Sequence, residues 1–198
     1  MAASKGGLRP YSRLGGYNSS NTVGFWIAKS ESNNFFQGDL VLMSSTGDIL
    51  PSTAVDDVTA VGVFNGCEYV DSSGVLRQTN FYNDTIAQDG MRAFVTVDPF
   101  QAYKIRIANS DANTTMTRTD IGKNYDIEYN GGSTTTGRSG MCLGSTTGVT
   151  TAAQLKLLDL VNDDGTDRPT DASSTTTYTH GIVVLDPTIS YWLTVTGV

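Results

Sequence analysis

Residues 91–110, MRAFVTVDPFQAYKIRIANS, decide how this chain is read. Before Asp98-Pro99 stands a run rich in β-branched and aromatic residues; after it, Tyr103, Ile105 and Ile107 alternate with Lys104 and Arg106. A period of two sends successive side chains to opposite faces of an extended backbone. The stretch therefore predicts two strands around a Pro-containing turn, the second with one packed face and one wet face.

The same signature repeats on both sides. FQGDLVLMSSTGDILPS (36–52) carries two short runs, 39–43 and 48–50, across a Ser/Thr/Gly turn, which predicts a hairpin. TAVGVFNGCEYV (59–70) is a longer β-rich run in which Gly62, between two valines, predicts a bulge or a close backbone approach. In NYDIEYNGG (124–132), Tyr125, Ile127 and Tyr129 alternate with Asp126 and Glu128, and HGIVVLDP (180–187) has the continuous apolar character of a buried strand. AAQLKLLDLV (152–161) fits neither period cleanly and leaves a short helix open. Strand signals about every ten residues, punctuated by Gly and Pro, predict an all-β domain, a sandwich or barrel-like arrangement. Two Ser/Thr/Gly-rich stretches, near 130–151 and 162–180, are too polar to bury much and read as long surface excursions.

A chain of 198 residues suits one domain with an extension. Its 13 basic and 20 acidic residues give a net charge of -7, unevenly spread. Residues 1–30 hold Lys5, Arg9, Arg13 and Lys29 and no acid, a charge of +4; the remainder carries -11. Such a body makes a poor electrostatic funnel for nucleic acid, although Tyr11 and Tyr17 are available for stacking. Cys67 and Cys142 read as small buried hydrophobes, with a single disulfide as the alternative. No secretory apolar core and no run approaching a membrane span is present, so the expectation is a soluble protein of a reducing compartment.

The first segment, KGGLRPYSRLGGYNSSN (5–21), raises a separate question, because it is basic, Gly-rich and unable to form a core of its own. Leu8, Tyr11, Leu14 and Tyr17 recur every three residues, which fits polyproline II, while the glycines and Pro10 oppose a helix. Ordering ~20 residues costs on the order of 20 to 40 kcal/mol, whereas burying two Leu and two Tyr returns about 10 kcal/mol. Residues 1–22 are accordingly expected to form an extended arm, loose alone and ordered on a partner, beside a β-rich domain at 23–198. A solvated terminus is the alternative. Deletion of residues 1–20 is expected to leave the domain folded.

Catalytic signals are sparse. His180 is the single histidine, and GRSG around Ser139 lacks the full nucleophile-elbow pattern. NDDGTD (162–167) has the composition of a calcium loop without its spacing or closing Glu. Phosphate-binding Gly-rich motifs are absent, and the N-x-[ST] triplets at Asn18, Asn83 and Asn113 read as chance matches. The expectation is a protein that is not an enzyme, with no catalytic residue, metal site or cofactor.

The order GGLRPYSRLGG, then GDLVLMSSTGDILPS, then VGVFNGCEY resembles small virion proteins of marine tailed phages and, more widely, capsid decoration or cement proteins. The likeness covers residues 6–107. It implies a β-tulip or sandwich-like domain, often trimeric, that binds the major capsid protein on the outside of an icosahedral head and reinforces capsomer junctions, after assembly in the host cytoplasm. Under that reading Lys5, Arg9 and Arg13 steer docking, and Leu8, Tyr11, Leu14 and Tyr17 supply apolar anchors; neither nucleic acid nor membrane is a partner. The runner-up is a tail, neck or fibre component with a β-rich interaction or glycan-binding domain, for which Trp26, Trp192 and the tyrosines would offer a platform.

Overall fold

The computed structural model describes residues 6–15, 21–53, 60–86, 89–108, 116–144, 153–161 and 179–193. Within them the chain runs through β1 (Arg9–Arg13), β2 (Thr22–Trp26), β3 (Phe35–Phe36), β4 (Leu40–Met43), β5 (Ile49–Pro51), β6 (Ala60–Val70), β7 (Leu76–Thr79) and β8 (Phe81–Tyr82). It continues through β9 (Arg92–Thr96), β10 (Gln101–Arg106), β11 (Asn124–Tyr125), β12 (Ile127–Glu128), β13 (Cys142–Leu143), β14 (Leu155–Val161) and β15 (His180–Leu185). Helical structure among the described residues is limited to two 3-10 turns, Asp84–Ile86 and Arg118–Asp120. The protein is all-β, as the alternation predicts.

Two antiparallel sheets dominate. One has the order β1-β10-β15-β14-β11; the other runs β2-β9-β6-β4-β5, with β7 also paired to β6. Two short pairs, β12-β13 and β3-β8, complete the set. The main core lies between the large sheets, where Leu40, Ala60 and Val63 from one meet Tyr103, Ile105, Leu155, Leu157, Val183 and Leu185 from the other. A second core covers the opposite face of the β6 sheet, built from Phe35, Val41, Ile49, Phe64, Cys67, Tyr82, Met91 and Val95. A smaller cluster of Ala102, Val161, Ile182 and Val184 lies on the other face of the β15 sheet. Residues on β15 divide between the two faces and all six are buried, which accounts for its unbroken apolar sequence.

The expected hairpin is present: β4 pairs with β5 through Val41↔Pro51, Leu42↔Leu50 and Met43↔Ile49. Gly62 meets both predicted conditions. The β4–β6 register slips beside it, and a Cβ there would lie 2.0 Å from the Thr96 carbonyl oxygen. Cys67 and Cys142 are buried free thiols.

The structure differs from the sequence expectation in four places, one of them brief: within the expected surface excursion near 130–151, residues 139–144 are buried, and Met141 and Leu143 join the main core. Asp98-Pro99 does not close a hairpin; β9 belongs to the β6 sheet and β10 to the β15 sheet, so the turn carries the chain from one sheet to the other. The described part of the 152–161 stretch, residues 153–161, holds no helix. It forms β14, whose register against β15 slips between Leu157 and Asp159, so Leu158 falls to the outer cluster while Leu157 and Leu160 point to the main core.

The fourth difference concerns the basic segment. Arg9–Arg13 is not polyproline II but the edge strand of the β15 sheet, antiparallel to β10, with Tyr11 as the extra residue of a bulge between Pro10↔Tyr103 and Ser12↔Ala102. Leu8, at 1% exposure, is part of the main core. Terms beyond side-chain burial offset the ordering cost: ladder hydrogen bonds, Leu8 N–H donating to the Gly38 carbonyl at 2.9 Å, and Gln101 Nε2 donating to the Ser12 carbonyl at 2.9 Å. The approach is close enough to require glycine. Gly7 has φ +61, and a Cβ on it would sit 2.5 Å from both the Gly38 oxygen and the Ser139 Cβ.

Candidate functional site

The arm residues singled out by sequence have distinct surroundings. Lys5 and Tyr17 lie outside the described residues, as do the NDDGTD stretch and most of the 162–180 excursion. Leu8 is a core residue and is not available as a surface anchor. Tyr11 and Leu14 are 44% and 46% exposed. Leu14 N–H donates to the Phe100 carbonyl at 2.9 Å, which sets Leu14 beside Phe100, itself 49% exposed. Sequence reasoning missed Phe100, because its neighbours Asp98 and Pro99 mark a turn and turn residues carry no packing period.

Arg13 fixes this patch to the body. Its Nε donates to Asp98 Oδ2 at 2.6 Å, with the aspartate side chain almost wholly buried and the arginine about one third exposed. Asp98 Oδ1 also accepts from Phe100 N–H at 2.9 Å. One carboxylate thus holds the arm and the inter-sheet corner together, and the predicted docking cation serves inside the fold. Arg9 has a different environment. One terminal nitrogen lies 3.4 Å from His180 Nε2, whereas its Nε is buried without a hydrogen-bond partner.

The remaining sequence candidates do not assemble a catalytic pair. His180 is buried on β15, with Nδ1 2.9 Å from the Thr179 hydroxyl. Ser139 is buried elsewhere: its Oγ accepts from Met141 N–H at 3.0 Å, and its hydroxyl is hydrogen-bonded with Asp39. Asp39, which sequence reasoning passed over, is the most perturbed carboxyl described here. Burial pushes it up to about 6, against the opposing effect of its bonds from Ser139 and from Phe36 N–H at 2.8 Å. Its only sequence signal is an acid placed directly before the apolar run of β4.

Asp39 borders a cleft of about 250 Å³ shared with Asn33, Ser52, Thr53, Tyr129 and Asn130. Tyr129 OH is 2.6 Å from Ser52 Oγ and accepts from Gln154 Nε2 at 2.5 Å. These bonds tie the β5 exit, Tyr129 and the residue before β14 together. Among the described residues, no group of three or more His, Cys, Asp or Glu side chains is placed to hold a metal ion. No protein-family model, curated protein or solved structure matches the chain.

Proposed function

We propose that this is a structural virion protein that binds the outer surface of an icosahedral phage head through its N-terminal edge, contacts the major capsid protein and acts as a homotrimer. The observation that carries the reading is the patch on and beside β1: Tyr11, Leu14 and Phe100 expose apolar surface around Arg13 and its bound Asp98. Aromatic and apolar anchors beside an immobilised arginine are the composition of interface hot spots. Pro10 and the Tyr11 bulge disfavour addition of a further strand to this edge, so docking proceeds through side chains. The net negative charge of the rest of the chain keeps decorated particles apart by repulsion.

Quantitative mass spectrometry of purified particles tests the reading. A ratio to the major shell protein near one, or a simple fraction of it, is the expected result. A small fixed number of copies would move the protein to the tail, neck or fibres, and absence from particles would overturn the virion reading.

A further inference from the structure

A second pocket, of about 220 Å³, is lined by Arg9 and Pro10 of the arm and by Gln37, Asn65 and Arg138. We propose that this pocket binds a small oxyanion between the Arg9 and Arg138 guanidinium groups. Among the described residues, no carboxylate lines it. The chain has 20 acidic residues, and Arg13 and Arg77 are each paired with one, yet neither Arg9 nor Arg138 forms an ion pair among the described residues. Two guanidinium groups remain charged at any physiological pH and repel each other across a shared pocket. An oxyanion between them offsets that repulsion and accepts from their terminal N–H donors.

The Arg9 side chain supplies the second argument. Its Nε–H is buried, has no acceptor and is closed to solvent, so a ligand in the pocket meets the terminal nitrogens of the guanidinium, and the Nε–H resonance reports their occupancy from the same group. Its neighbours hold it in place: the terminal nitrogen rests against His180 Nε2, and Gly6 lies beside the guanidinium, where even an added Cβ would be in ordinary contact at 3.4 Å from Nε. Arg138 is equally fixed at its backbone. It bridges Gln37 on one side and Ser133 on the other, with Ser133 N–H donating to the Arg138 carbonyl at 3.0 Å. The volume exceeds the roughly 30 Å³ share of one water several-fold, enough for an oxyanion with part of its hydration. This inference does not depend on the virion reading.

The test follows the Arg9 Nε–H resonance in ¹⁵N-labelled full-length protein during titration with sodium phosphate and, separately, sodium acetate, each against sodium chloride at matched ionic strength. A saturable shift is expected with phosphate, and Arg138→Gln, an exposed position whose backbone pairing the substitution keeps, should weaken it about tenfold or more. If acetate reproduces the shift, the ligand is a carboxylate group; if phosphate alone does so, it is a tetrahedral oxyanion. No saturable shift with either anion, or identical titrations of wild type and Arg138→Gln, would overturn the proposal.

Discussion

At the scale of single residues, Asp39 makes a prediction with a definite sign. Its carboxyl is raised from 3.8 to about 6 because burial penalises the charged form. The folded state therefore holds this proton more tightly than the unfolded state. The associated stabilisation is full below about pH 3.8 and is lost as pH rises through about 6. A shift of this size corresponds to roughly 3 kcal/mol at most. Asp39→Asn keeps an acceptor for Phe36 N–H and removes the buried charge. It should raise the urea midpoint at pH 8 and leave it almost unchanged near pH 4; parallel pH profiles for the two proteins would refute the assignment. The thiols make a second prediction. Burial pushes Cys67 up to about 12, and its Sγ donates to the Phe81 carbonyl. Neither Cys67 nor Cys142 should react with a thiol reagent at pH 8 until urea unfolds the protein, whereupon both should label.

At the scale of elements, the arm is the least expected part of the fold, and its energetics give the third prediction. Leu8→Ala removes a fully buried side chain from the main core and should cost about 2–5 kcal/mol of unfolding free energy. Arg13→Gln leaves the buried Asp98 carboxylate without its cation and should cost about 1–3 kcal/mol. Chemical denaturation measures both, and an arm attached only to a partner would make each change silent. Deletion of residues 1–20 is accordingly a poor test of docking, because it removes β1 and opens the core at Leu8 along with any binding surface. The physical reasons for what was legible are local. The β4–β5 hairpin and the alternation in β10 and β11–β12 need only neighbouring residues, and period two reports them. Bulges at Tyr11 and Leu158 break that period, which turned one strand into a period-three arm and another into a possible helix. A turn such as Asp98-Pro99 looks the same whether it closes a hairpin or changes sheets, because the difference lies in long-range partners. The candidate sites divide in the same way: Tyr11, Arg13 and Leu14 are neighbours in sequence, whereas Arg138 joins Arg9 only through the fold.

At the scale of the whole molecule, the proposed docking surface has to be separable from the fold for the function to be tested. Tyr11 and Leu14 meet that condition, since both are nearly half exposed and Tyr11 sits in a bulge outside the ladder register. Replacing both with Ser should change the unfolding free energy by less than about 1 kcal/mol, as exposed positions generally do. Leu8→Ala would show the reverse pattern: lower stability, with the exposed patch intact. Particles lacking this protein, incubated with each variant, should retain the Leu8→Ala protein wherever it is folded and lose the Tyr11→Ser/Leu14→Ser protein by at least about tenfold in affinity. Added salt should slow association of the wild type if the basic segment steers encounter with an acidic shell, because exposed charges are screened beyond about 10 Å at 0.1 M ionic strength. Equal binding by wild type and the double variant would remove the β1 patch as the docking element, even in a protein whose copy number places it on the shell.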